Sequence, residues 1–147
     1  MSSVSLFDAT CFAVMPGASA ANRCTYHFVH ANIFHAMTNV WCLLSLTFYY
    51  DIKARDIIIA YAIATLYPVD TLAHRCQSAT LPTVGLSALC FALMGMTFWR
   101  VRRKAYYFAC VTFIIALGAL VPHINTPIHL YSYVAGLMVG ILFMPVR

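Results

Sequence analysis

The sequence predicts an all-α membrane protein, a polytopic bundle of about five transmembrane helices. Three observations carry this. Hydrophobic residues make up 63% of the 147 and charged ones only 9%, which leaves more apolar surface than a soluble domain of this length can bury. Apolar stretches of spanning or near-spanning length alternate with short charged loops. Polar groups that hydrocarbon disfavours, His30, His35, Asn39, Ser87 and His129, stand at the ends of those stretches, and each marks a functional position by default.

The first 28 residues read as an extracytoplasmic loop or interfacial segment. Their apolar run, Ala9 to Met15, is too short to span and is flanked by Asp8, Pro16 and Gly17. No basic region precedes that run, so it does not read as a signal peptide. Residues 29–147 read as one transmembrane domain, with helices expected over 29–50, 57–73, 84–99, 105–121 and 127–144. Pro68 and Asp70 interrupt the second of these near its outer end. Neither a repeat nor a low-complexity tract divides the domain.

Charge sets the expected orientation. Alternate loops share a membrane side, and one side carries Lys53, Arg55, Arg100, Arg102, Arg103, Lys104 and Arg147, whereas the other carries Arg23 and Arg75. The positive-inside rule puts the C-terminus in the cytoplasm. His30 and His35, Ser87 and His129 then begin their three helices at one depth, on the extracytoplasmic side. The excess of basic residues thus reports topology, and nucleic acid is not an expected partner. The six cysteines form no CxxC pair and lie mostly in apolar runs. They read as small hydrophobes, with a Cys24–Cys76 disulfide as the lesser alternative.

Three motifs carry chemistry. His35 and Asn39 are four residues apart and share a helical face; His30 lies about 140° away around an ideal helix and acts from where the chain enters it. Interhelical hydrogen bonding is the plainer reading of these polar groups. Ser87 stands at a helix N-terminus, where unpaired N–H groups favour developing negative charge; a serine helix cap is the alternative. Leu89 replaces the second glycine of a soluble nucleophile elbow. Phe91, one turn on, suits the wall of a stacked imidazole or an ordinary core. In the last helix His129, Ser132, Gly136 and Gly140 form one stripe of mostly small residues that permits close helix approach. A neighbour packed there brings its outer end to His129, and if that neighbour is the Ser87 helix the two side chains can hydrogen-bond.

Together these residues resemble the rhomboid family of intramembrane serine proteases, over roughly residues 25–141. His30-Ala31, His35 and Asn39 match the H-A-x-x-x-H-x-x-x-N signature of that family. Gly85-Leu86-Ser87 with Phe91-Ala92-Leu93-Met94-Gly95 matches its nucleophile segment. His129, Ser132 and Gly136 match its H-x-x-G-x-x-x-G, with serine for the first glycine, and Thr25 and Phe28 fit the approach to the first histidine. The resemblance implies a Ser87–His129 dyad that cuts membrane-protein substrates near the outer boundary of their transmembrane helices. It further implies an oxyanion site from the Ser87 N–H, His35 and Asn39 supported by His30, packing glycines at 85, 136 and 140 with Ser132 beside them, and no metal or other cofactor. The lipid bilayer, as the plasma or inner membrane, is the expected setting.

Four departures accompany the resemblance. Ala88 replaces the glycine after the nucleophile, the Trp-Arg pair of the first loop is absent with Asn22-Arg23 nearby, and the family's first helix has no counterpart after Met1. In the last helix, aligning on Gly136 and Gly140 as the two glycines would put Tyr133 at the base position, where tyrosine is a poor base at neutral pH. The competing functions are an inactive rhomboid-like protein that binds transmembrane helices, and a metal or haem site built from some of His27, His30, His35, His74, His123 and His129. The histidines show no ligand spacing for the latter.

Overall fold

A computed structural model of the chain describes residues 9–143. Met1–Asp8 and Met144–Arg147, and with them Arg147 and the last residue of the fifth expected helix, lie outside the described residues. Ordered helices account for the architecture: α1 (Ala20–Thr25), α2 (Ile33–Tyr50), α3 (Ala54–Thr65), α4 (Val69–Ala73), α5 (Ser87–Thr97), α6 (Lys104–Ala119) and α7 (Thr126–Phe143). Among the described residues the one β-type pairing is the isolated antiparallel bridge between Val14 and Thr83.

Local chemistry moves several boundaries from the expected positions. α2 starts at Ile33 rather than residue 29, because the Asn32 carboxamide accepts the His35 N–H at 2.8 Å and caps the helix there. α3 starts earlier than expected, at Ala54, where the Asp56 carboxylate accepts the Lys53 N–H at 3.1 Å. It also ends sooner, at Thr65, since the ring of Pro68 excludes helical geometry just before it; the short α4 resumes after that proline. α5 is shorter at both ends than the expected 84–99, with Gly85 at φ +109 before it and a 3-10 turn, Phe98–Arg100, after it.

α5 is the central helix, buried along nearly its whole length. Leu89, Leu93 and Met96 pack with Leu46 of α2 and Ala60 and Ile63 of α3. On another side, Phe91 packs with Val111 and Ile115 of α6 and Tyr133 of α7. The closest approach is to α7. A Cβ on Gly95 would lie 2.2 Å from the Tyr133 carbonyl oxygen, and one on Gly136 would lie 2.2 Å from that of Ala92. One turn further, Gly140 faces Met96 and Trp99 in the same manner. The stripe of small residues on α7 therefore meets the serine helix.

Polar bonds tie the loops at one end of the bundle. Arg100 donates to the Tyr50 carbonyl at the end of α2 (2.8 Å) and pairs with the buried Asp56 carboxylate at the start of α3 (3.5 Å). Arg55 reaches the Phe143 carbonyl of α7 at 3.0 Å. The loops at 51–56 and 98–104 and the end of α7 thus share one end. At the opposite end Arg23 binds the Asp70 carboxylate and the Tyr67 carbonyl, and Asp70 also accepts the Gly17 N–H at 2.8 Å. Asp70 is thereby committed to the N-terminal segment.

Among the described residues α7 alone is long and apolar enough to cross a bilayer by length and composition, while α6 is apolar but shorter.

Candidate active site

The site is assembled where three chain segments meet. The Tyr26–Phe28 turn is the first. His27 is fully buried there, its Nε2 3.2 Å from Thr65 Oγ1 and its ring between Tyr26 and Tyr61. Burial pushes this imidazole down to about 4. The Tyr26 carbonyl accepts the Gly85 N–H at 2.8 Å. Two residues beyond the turn, His30 Nε2 stands 3.5 Å from the Leu86 N–H. The N-terminal segment therefore grips the chain immediately ahead of Ser87.

Gly85 does not serve helix packing, the place expected for it. It lies outside α5 in the left-handed region, where glycine carries no steric penalty. A Cβ there would sit 2.8 Å from His35 Cε1 and 3.0 Å from Asn39 Nδ2. The missing side chain lets His35 and Asn39 of α2 close on the turn that precedes Ser87. The rings of His30 and His35 meet edge to face at 5.4 Å. Asn39 is 6% exposed and its Nδ2 has no hydrogen-bond partner among the described residues, an unusual state for a buried amide.

Ser87 opens α5, and its Oγ lies 3.0 Å from His129 Nε2 on the first turn of α7. For the hydroxyl to donate, the imidazole carries its proton on Nδ1. The Phe91 ring stacks on the His129 ring at a centroid distance of 4.6 Å and an interplanar angle of 26°. No ion pair among the described residues involves His129; the nearest candidate by sequence, Asp70, is bound to Arg23. Tyr133 lies one turn deeper against Phe91, Val111 and Ile115. Ser132 is buried, its hydroxyl without a hydrogen-bond partner among the described residues. The Ala88 methyl is buried in an apolar cluster with Tyr26, Ala64, Tyr67 and Ile128.

A cavity of about 260 Å³ opens over Ser87 and His129, bounded by His35, Pro82, Val84 and Ile124, with His123 at its rim. His123 holds a left-handed φ of 72. No cluster of three or more His, Cys, Asp or Glu able to hold a metal occurs among the described residues, and all six cysteines are free thiols. A hydroxyl beside an imidazole, under a cavity also lined by the His35 imidazole, can perform acyl transfer.

The Tyr26 carbonyl contact has no trace in the residue pattern, because it depends on backbone alone. Gly95 was legible only as part of a motif, although its close approach to α7 makes it as necessary as Gly136.

Comparison with known proteins places these features in a family. Neither curated proteins nor solved structures yielded a match. A family model described as the Rhomboid domain matches residues 18–147, which is nearly the whole chain and includes every residue of the site. The chain belongs to the rhomboid family.

Proposed function

We propose that this protein is an intramembrane serine endopeptidase that cleaves transmembrane substrates near the extracytoplasmic boundary through Ser87 and His129. The 3.0 Å contact between the Ser87 hydroxyl and His129 Nε2 carries the reading. Ser87 Oγ attacks the peptide carbonyl as His129 takes its proton. The oxyanion is held by the Ser87 N–H with the His35 and Asn39 side chains, and His30 supports that corner. His129 then protonates the leaving amine, and water entering through the cavity hydrolyses the acyl-enzyme.

A bilayer setting is supported by the outer faces of the helices. Trp41, Phe48 and Tyr49 on α2, Phe113 on α6 and Met138 and Leu142 on α7 are exposed, more bare apolar surface than water tolerates on a monomer. α2, α3, α5, α6 and α7 are read as the five membrane helices. Six of the basic residues counted in the sequence lie at the Arg100 end, which is read as cytoplasmic, so the cavity opens on the other side.

Labelling of the reconstituted protein with a fluorophosphonate, beside cleavage of a model transmembrane substrate, tests the proposal. Wild type should label and cut, while Ser87→Ala and His129→Ala should do neither yet stay folded in the membrane. Binding of the substrate helix without labelling or cleavage by wild type would instead make the protein an inactive helix-binding relative.

A further inference from the structure

We infer that Asn125 is a positioning residue for the dyad, which it serves by tying the chain ahead of His129 to the chain ahead of Ser87. The inference rests on the proteolytic reading of Ser87 and His129.

Asn125 is 3% exposed and immediately precedes α7. Its Oδ1 accepts the Ile128 N–H at 3.3 Å, satisfying one of the orphan donors of that helix. Its Nδ2 faces the other way and donates to Thr83 Oγ1 at 2.9 Å, with the Leu81 carbonyl at 3.4 Å. One amide therefore caps the histidine helix and grips the segment that leads to the serine helix. Thr83 is fixed from its far side as well, since its backbone exchanges two hydrogen bonds with Val14, at 2.9 and 3.1 Å.

The spacing gives this link its meaning. Thr83 stands four residues before Ser87, and Asn125 stands four residues before His129. Below the dyad, the helices are fixed by the contact of Gly95 and Gly136 with the facing backbones. Above it, the Asn125–Thr83 bond is a side-chain connection across the same gap. Both residues border the cavity over Ser87, so the bond also fixes the wall a substrate meets. Removing the Thr83 hydroxyl leaves the Asn125 amide only its longer contact with the Leu81 carbonyl, which weakens the link.

The test uses the full chain in liposomes, with wild type, Asn125→Asp, Thr83→Val, Thr83→Ser and the Asn125→Asp/Thr83→Val pair. Asn125→Asp keeps the acceptor that caps α7 and removes the Nδ2 donor, so the link survives only where the Thr83 hydroxyl gives up the Leu81 carbonyl at 3.0 Å to donate to the carboxylate. Misplacement of reacting groups by a fraction of an ångström supports an expected fall in kcat of about tenfold for Asn125→Asp and for Thr83→Val, with KM unchanged. The double variant should fall no further than either single one, and Thr83→Ser should keep the wild-type kcat. Wild-type kcat in Thr83→Val, or losses that multiply in the double variant, would overturn the inference. Should Asn125→Asp fail to fold, the Thr83→Val and Thr83→Ser comparison decides alone. Absence of fluorophosphonate labelling in wild type would instead remove the proteolytic reading. Amide hydrogen exchange then judges the link itself: Thr83→Val must raise exchange at Ile128, and unchanged protection there would show that no such link operates.

Discussion

The imidazole of His129 lies nearly parallel to the ring of Phe91, 4.6 Å from it, one helical turn beneath Ser87. With no carboxylate bound to His129 among the described residues, this stacked ring and the Ser87 hydroxyl are the contacts that orient the imidazole. Aromatic pairs of this kind contribute about 0.5–1.5 kcal/mol beyond burial. Phe91→Leu should therefore lower kcat by about 2- to 12-fold, while Phe91→Tyr keeps most of it. Steady-state cleavage of a model substrate in liposomes measures both, and equal rates in Phe91→Leu and wild type would leave the ring a packing role only.

Asn39 presents a different balance. Its buried Nδ2 has no protein acceptor among the described residues, and a buried amide left without a partner costs about 1–3 kcal/mol of stability. If an oxyanion supplies the missing acceptor, Asn39→Ala should slow turnover by about 10²-fold or more without lowering the melting temperature. Rate and thermal unfolding measured on one preparation give the answer. A loss of stability with no loss of rate would take Asn39 out of the oxyanion site.

Gly136 should tolerate no side chain. The Ala92 carbonyl oxygen lies 2.2 Å from where its Cβ would be, and that atom belongs to the backbone of a central helix. Gly136→Ala should cost about 1–3 kcal/mol through overpacking and, by pushing α7 from α5, should abolish labelling of Ser87. Denaturation and fluorophosphonate labelling are the two measurements. Gly118, where an added Cβ would meet the Ile124 side chain at an ordinary 3.6 Å, is the control position, and Gly118→Ala should be nearly silent.

Acid should loosen the Tyr26–Phe28 turn. The His27 imidazole is held neutral by burial, down to about 4 from an ordinary 6.5, so the unfolded chain binds its proton first. Its stabilising contribution is complete above pH 6.5 and is lost as pH falls from there toward about 4. Melting temperature plotted against pH should decline across that window in wild type. His27→Asn should flatten the decline, and an unchanged slope would assign the acid response to another group.

The helical class and the pairing of α7 with α5 were legible because both rest on one-dimensional signals, apolar run length and a small residue every third or fourth position. His35 and Asn39 were legible as partners for the same reason, since four residues make a helical turn. Gly85 was misjudged as a packing residue because a glycine in an apolar stretch looks the same whether a neighbouring helix or a neighbouring imidazole needs the space. The end of α3 and the separate α4 turned on Pro68, which the sequence marked as an interruption without saying that the chain would restart beyond it. Asn125 escaped notice although Asn-Thr-Pro is a helix-start pattern; its second bond, to Thr83, joins residues 42 apart and has no local trace.

The contact of Gly95 and Gly136 with opposing main chain has a bearing on how firmly the chemistry is set. Where side chains separate two helices, rotamers can readjust and the spacing drifts with temperature or surroundings. Peptide groups in direct contact have no such freedom. About two turns from either residue, the gap between a hydroxyl and an imidazole is inherited from a hard stop, one that changes in lipid thickness or headgroup cannot easily soften.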